Sequence, residues 1–339
     1  MRRLKISRLP TAAVVAMAAA GATGLTLAWK SSVFTPRTDA SFSTASADAR
    51  WGGSYMPNLP VVDQDGNKFR FYDDLIKGRK VIINFIYTSC SQICPLTTSR
   101  LAILQEKLGD TVGRDFFMYS ITIDPEHDGP AELKKHADAF HVGPGWRFLT
   151  GKPEDIAEIR YKLGERSKTL NDHKQEILLG NDATGSWSRD SVFGDVDQLA
   201  LTIRSMDPDF RVSDALVASA AEPAGVELAP GQMLFASMCA GCHTIGGGDR
   251  TGPDLKNVAS RRDHSWLQNF ISRPDQMFAR LDPIATSLAQ RYTAVRMPNL
   301  GLSLSDAEDV ISYVASVSQP QPSTHVVAHD LKGTQRSPE

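Results

Sequence analysis

The run Val81-Ile82-Ile83-Asn84-Phe85-Ile86-Tyr87 is the feature that most constrains the fold. Its β-branched and aromatic residues predict a buried strand. Ser89-Cys90-Ser91-Gln92-Ile93-Cys94-Pro95 follows at once, and apolar residues then recur at helical spacing through Leu96, Leu101, Leu104 and Leu108. Proline fits the first turn of a helix and damages later turns, so the helix begins near Cys94. Cys90 and Cys94 therefore occupy a strand-to-helix turn, where unpaired amides and the helix dipole favour thiolates. Two soft sulfurs that can approach each other can close a reversible disulfide or grip a soft metal such as Cu(I). A structural disulfide is the plainer alternative, but such bridges rarely sit on an activating turn.

At 339 residues the chain is long enough for two domains with separate cores. Its net charge of -2 and the lack of any basic run exclude a nucleic-acid partner. The four cysteines form two close pairs, Cys90/Cys94 and Cys239/Cys242, too few for a disulfide scaffold. Arg2, Arg3, Lys5 and Arg8 precede an uncharged stretch from Leu9 to Trp29. That stretch is just long enough to cross a bilayer core of ~30 Å at ~1.5 Å per residue. Residues 1–30 thus read as a membrane anchor or signal segment, with the basic end inside and the remainder exported. An uncleaved anchor is the favoured form, because the small-x-small site Ala45-Ser46-Ala47 lies far beyond the apolar run. The expected location is the bacterial inner (cytoplasmic) membrane, with the folded domains in the periplasm.

Residues 31–56 are rich in Ser, Thr, Ala and Asp and read as a flexible tether. A first domain is expected over 57–206. It opens with a hairpin, Val61-Val62 to Phe69-Arg70-Phe71 across Asp65-Gly66, before the cysteine turn. Further strands are expected at 116–123, 146–149, 173–179 and 185–191, and helices at 130–140, 153–163 and 196–206. Strands alternating with helices around a central parallel pair predict an α/β sandwich, and two cysteines after the first core strand make it thioredoxin-like. Residues 207–224 read as a linker and 225–318 as an all-α domain, from Pro230 in a first helical turn to a last helix capped by Ser305 and Glu308. Residues 319–339 are Pro- and Gln-rich and read as a disordered tail.

Cys239-Ala240-Gly241-Cys242-His243 is the most specific motif. Its spacing lets two thiols add to the vinyl groups of one haem while the imidazole of His243 reaches the iron. A zinc knuckle would need a second ligand pair nearby, and none follows. The sixth ligand should be a soft sulfur or a second imidazole. Met297, in Met297-Pro298-Asn299-Leu300 before the last helix, could reach the haem, although a lone methionine more often packs a core. With Phe235, Gly252-Pro253-Asp254-Leu255 and Tyr313, residues 225–318 resemble the class I cytochrome c family. That resemblance implies haem c with His243 and Met297 as axial ligands.

Residues from Pro57 to Met206 resemble the SCO/SenC family of copper-binding assembly proteins. The resemblance rests on Tyr87-Thr88-Ser89-Cys90 leading into Cys94-Pro95, on Asp124-Pro125-Glu126-His127-Asp128, and on Asp172-His173 opening a late strand. It implies copper ligation by Cys90, Cys94 and His173. The residues alone do not single out His173, since His127, His136 and His141 share the domain. The family commonly has an acidic residue two places after the first cysteine, where this chain has Gln92. His325 and His329 in the tail are four apart and could bind stray metal. Peroxidases of thioredoxin-like fold place Pro and Thr where Ile83 and Tyr87 stand, which excludes that activity.

The resemblances together imply a membrane-tethered metallochaperone fused to a one-electron carrier, more a delivery protein than an enzyme. Its implied client is a respiratory copper enzyme: the binuclear copper centre of cytochrome c oxidase, with nitrous oxide reductase as a second. Two rivals remain open. One is a thiol-disulfide oxidoreductase in which Cys90 and Cys94 act as a redox pair on client cysteines, and the other is a redox sensor.

Overall fold

The computed structural model describes residues 52–91, 93–211, 228–293 and 295–319, all within one unit of the chain spanning 44–339. The expected membrane segment, most of the tether and linker, and the tail with His325 and His329 lie outside the described residues. Among the described residues, no helix is long and apolar enough to cross a membrane.

The first domain is a seven-stranded sheet with helices on its faces. Its strands are β1 (Pro60–Asp63), β2 (Lys68–Arg70), β3 (Lys80–Ile86), β4 (Phe116–Thr122), β5 (Trp146–Thr150), β6 (Ile177–Asn181) and β7 (Ser186–Asp190). The helices are α1 (Ile93–Leu108), α2 (Pro130–Ala139), α3 (Pro153–Lys162) and α4 (Val196–Arg204). Strand order is β2-β1-β5-β4-β3-β6-β7. Only β3, β4 and β5 run parallel, joined through α1 and α2, and the flanking pairs are antiparallel. The β1–β2 hairpin turns at Gly66, whose φ of 83° is left-handed and suits glycine.

Strand β3 reads as an unbroken apolar run because both faces are covered. Val81, Ile83 and Phe85 point into one core with Tyr119, Ile121 and Leu149. Ile82 and Ile86 point into the other, with Leu101 and Leu104 of α1, Met118 and Phe148. Asn84 is the polar exception. Its Oδ1 accepts from Ser120 Oγ (2.6 Å), and Ser120 Oγ in turn accepts from Trp146 Nε1 (2.9 Å), so the buried oxygens are satisfied.

His173 does not open a strand. It follows a short 3-10 turn, Leu170–Asp172, and β6 begins four residues later at Ile177, where pairing with Asn84 of β3 starts. The polar run Lys174-Gln175-Glu176 falls between the turn and the strand.

The second domain is helical: α5 (Pro230–Leu234), α6 (Val258–Arg261), α7 (His264–Ser272), α8 (Pro274–Ala279), α9 (Pro283–Arg291) and α10 (Leu304–Ser318). A wide turn, Phe235–Cys239, extends α5, with the Ala240 amide donating to the Phe235 carbonyl (2.8 Å). The capping box of α10 forms two residues earlier than Ser305 and Glu308 would place it. Ser303 Oγ accepts from the Asp306 amide (3.1 Å) and Asp306 Oδ2 accepts from the Ser303 amide (2.8 Å). Glu308 is engaged elsewhere, by His264 (2.6 Å) and Gln268 (2.7 Å). Starting at Leu304 turns Ala307, Val310, Ile311 and Val314 inward, and Val310 and Val314 pack against Phe235 and Cys239.

Candidate functional site

The two cysteines stand where β3 ends and α1 begins. The Cys90 amide donates to the Tyr87 carbonyl (3.3 Å), which tightens the turn, and the Cys94 amide donates to Cys90 Sγ (3.3 Å). Both are thiols, and both are buried. Asp128 clamps the loop to the end of β4. Its carboxylate accepts from the Thr88 amide (3.0 Å), the Thr88 hydroxyl and the Thr122 hydroxyl (2.6 Å). The Asp124–Asp128 turn is thus a brace for the cysteine loop, and His127 of that turn is exposed and paired to Asp124 (2.8 Å).

A helix N-terminus should favour thiolate at Cys94, yet the thiol is held above its ordinary range. The hydrogen bond with Cys90 is the main cause, followed by burial and the charge of Cys90. A dipole effect of about 0.3–1 kcal/mol is outweighed by burial and a like-charged neighbour. The Gln175 side chain acts the other way and favours the thiolate, with its Oε1 fixed by the Thr97 hydroxyl (2.6 Å).

His173 is buried and held at both ends. Its Nδ1 pairs with Glu165 Oε2 (2.9 Å), and its Nε2 pairs with the Phe85 carbonyl (2.9 Å) on the strand that leads to Cys90. Both ring nitrogens thus face acceptor oxygens. Burial alone would push the Glu165 carboxyl up, but hydrogen bonds from His173 and Ser167 more than reverse this and hold it at about 2. Among the described residues, no three His, Cys, Asp or Glu side chains stand together as a ready metal site. The structure therefore brings the cysteines together and leaves His173 in contacts of its own beside β3.

The other histidines of the domain separate from this region. His136 bonds to Thr98 Oγ1 (3.1 Å) and packs against Phe140 and Phe148, and burial lowers its pKa to about 4. It is a core residue. His141 is exposed, with a positive φ of 52°.

In the second domain a cavity of about 630 Å³ is lined by Cys239, Cys242, His243 and Met297 together with Leu255, Leu267, Phe270, Val310 and Val314. The Cys239-to-His243 segment winds back on itself, the Cys242 and His243 amides both donating to the Cys239 carbonyl (3.0 and 2.9 Å). His243 Nδ1 pairs with the Pro253 carbonyl (2.8 Å), which leaves Nε2 as its free edge. A methyl placed on Gly252 would lie 2.6 Å from Cε1 of that ring, so only glycine lets the loop pass so close. Burial lowers the His243 pKa, which keeps the ring neutral as a ligand must be. Burial likewise pushes the Cys239 thiol up to about 12 and raises Cys242, which Ser99 of α1 partly offsets by a hydrogen bond. Two thiols, one neutral imidazole and one thioether in an apolar cavity are a donor set that fits haem c.

Glu165, Gln175, Ser99 and the Phe85 carbonyl carry no local signal in the sequence. Each matters through a partner from 8 to 143 positions away.

Comparison with known proteins follows the same division. The SCO1/SenC family matches residues 48–183 and the cytochrome c family matches residues 228–318. The SCO1 protein homolog of Bacillus subtilis is 37% identical over 102 residues, covering 30% of this chain and 51% of that protein. The chain spans about half the length of the curated relatives it matches. Among solved structures, a SCO1/SenC family lipoprotein from Bacillus anthracis aligns at 23% identity and a TM-score of 0.40, over 46% of this chain and 95% of that one. Bradyrhizobium japonicum ScoI with copper bound aligns at 24% identity and a TM-score of 0.37, over 44% and 98%.

Proposed function

The chain carries an SCO1/SenC domain joined to a cytochrome c domain, and on that premise we propose that it is a membrane-tethered copper chaperone with a fused haem c carrier. The observation that carries the reading is the sharing of β3. The strand ends at the Cys90/Cys94 turn, and its Phe85 carbonyl holds the ring of His173.

Copper is the cargo. Cys90 and Cys94 supply two thiolates, the soft donors that select Cu(I), and their protons leave as the metal enters. An imidazole ligand needs a free lone pair, so one contact of His173 must break. Nδ1 is tied to a carboxylate and Nε2 only to a neutral carbonyl. Nε2 is therefore the nitrogen that turns to the metal, while Glu165 keeps the ring oriented, as carboxylates behind metal-binding histidines do. Release follows by exchange with the thiolates of a client, for which the family points to the binuclear copper centre of cytochrome c oxidase, with nitrous oxide reductase as a second client. In the second domain Cys239, Cys242, His243 and Met297 would hold haem c; when bound, the group supplies one-electron transfer.

The membrane anchor at residues 1–30 and the periplasmic location complete the reading. The test is copper and haem content per chain in the purified protein. One of each is expected, with copper lost in Cys90→Ser/Cys94→Ser and haem retained. Copper retained in that double variant refutes the assignment. A second reading, reduction of client cysteines by the dithiol, is favoured by the separate hydrogen bonds of His173. Under it, His173→Ala leaves dithiol exchange intact and copper has no role.

A further inference from the structure

Arg100 lies on α1 six residues after Cys94, and it is 3% exposed. Its guanidinium has four partners, all of them carbonyls. Nε and Nη2 donate to Val192 and Gly194 of its own domain, while Nη1 donates across to Ala236 (3.2 Å) and Ser237 (2.8 Å) of the helical domain. The fork is thus fixed by one domain and presents its remaining arm to the other, which suits a planar guanidinium and not a lysine. The accepting carbonyls close the helical stretch 230–239, where a helix runs out of internal donors and its dipole is negative. They belong to residues three and two positions before Cys239.

Neighbouring contacts converge on the same seam. A methyl on Gly241 would lie 2.3 Å from Ser99 Oγ and 3.1 Å from the Ser99 backbone carbon, so the motif loop rests on the helix itself. The Thr251 hydroxyl donates to the Ala139 carbonyl (2.9 Å), and Arg250 pairs with Glu106 of α1 (3.2 Å). A cleft of about 270 Å³ beside Ile93 and Leu96 is closed from the other side by Met238 and Leu300.

We propose that Arg100 is a positioning residue, the latch of a docking surface that seats the Cys239–His243 loop on α1 and so fixes Cys242 and Cys94 against one helix. Ser99, against which Gly241 rests, lies five positions from Cys94, about 7.5 Å along the axis at about 1.5 Å per residue. The inference uses the haem reading only for the purpose of the docking, and the docking stands or falls without copper.

The test is hydrogen exchange on the full chain, haem attached, read by mass spectrometry. Arg100→Gln should speed exchange in segment 235–243 of the second domain by at least about tenfold, the ratio that follows from losing hydrogen bonds to a charged donor. Strands 80–86 and 116–122 should be unchanged. Because Arg100 also braces its own domain, Ser99→Leu is the second variant. It places a branched side chain where Gly241 rests, removes none of the Arg100 bonds, and should open the same segment. Faster exchange confined to residues 93–108 and 192–195 in Arg100→Gln, or full protection of 235–243 in Ser99→Leu, would overturn the latch. Copper content is read in parallel. A chain that docks but binds no copper refutes the chaperone reading and leaves the latch intact, and the converse result does the opposite.

Discussion

His136 makes the stability of the first domain depend on pH. Its ring is wedged against Phe140 and Phe148, with centroids at 4.9 and 5.6 Å, and its hydrogen-bonding partner is a neutral hydroxyl, Thr98 Oγ1. Burial lowers the pKa from 6.5 to about 4, so the folded domain keeps this histidine neutral where the unfolded chain protonates it. The unfolded state then binds more protons between those values, and stability rises with pH across the window. The contribution is fully present above pH 6.5 and is lost as the pH falls through about 4. At about 1.36 kcal/mol per unit the gap is worth on the order of 3 kcal/mol, and some residual solvent contact of His136 trims that to about 2–3 kcal/mol. The perturbation is His136→Gln, which can still bond Thr98 but does not titrate. Urea unfolding is followed at pH 4 to 7.5 by tryptophan emission, to which Trp146, stacked on Phe148 (5.3 Å), contributes. Other groups titrate in both proteins, so the quantity read is the difference between them. The variant should be the weaker near pH 7 and should gain on the wild type by about 2–3 kcal/mol toward pH 4. Parallel stability curves would refute the account of a neutral core histidine.

Three further outcomes test the sites. His173→Ala should weaken Cu(II) more than Cu(I) in competition titrations, because Cu(I) tolerates two-coordinate sulfur ligation; equal losses would remove His173 from the ligand set. Glu165→Gln should lower copper affinity by roughly 10- to 100-fold while the Cys90/Cys94 pair still titrates with thiol reagents; an unchanged affinity would leave the carboxylate a purely structural partner. Cys239→Ser/Cys242→Ser should abolish haem that survives denaturation, and Met297→Ala should remove the sulfur-to-iron absorption band and lower the potential; an unaltered spectrum would move the sixth ligand elsewhere.

Elements set by short-range pattern were legible, and elements set by distant partners were not. The buried run before the cysteines, the proline-started helices and the Gly66 hairpin follow from residues within a few positions of one another. The capping box shifted because Ser303-x-x-Asp306 and Ser305-x-x-Glu308 are both acceptable locally. What separates them is the pull of His264 and Gln268 on Glu308, from 44 and 40 positions away. The protonation of Cys94 is a similar case. A helix end argues for thiolate, but the depth of the turn and the approach of the Cys90 sulfur are properties of the folded domain. Arg100 was illegible for the strongest reason. Its guanidinium bridges carbonyls 92 to 137 positions away, and carbonyls have no sequence identity at all.

The seam between the domains changes what the linker has to do. A random coil of about twenty residues has an r.m.s. reach of very roughly 25 Å, which would allow two domains to meet but would fix no geometry. Tethering alone would raise their effective concentration to the millimolar range. A buried arginine gripping the two carbonyls before Cys239, with the motif loop resting on Ser99, adds orientation to proximity. The seam combines the buried Arg100 fork with the Arg250–Glu106 pair, the Thr251 hydroxyl on the Ala139 carbonyl and an apolar cleft between Ile93, Leu96, Met238 and Leu300. The cysteine turn lies at the N-terminal end of α1 and the docked loop lies one to two turns further along. Ile93, which is 37% exposed, and the Met238/Leu300 rim thus lie beside the cysteine turn on one side of the seam. Under the chaperone reading proposed above, copper release and the position of the second domain would be coupled through one helix, and substitutions on α1 away from Cys90 and Cys94 should still change how the protein engages a client.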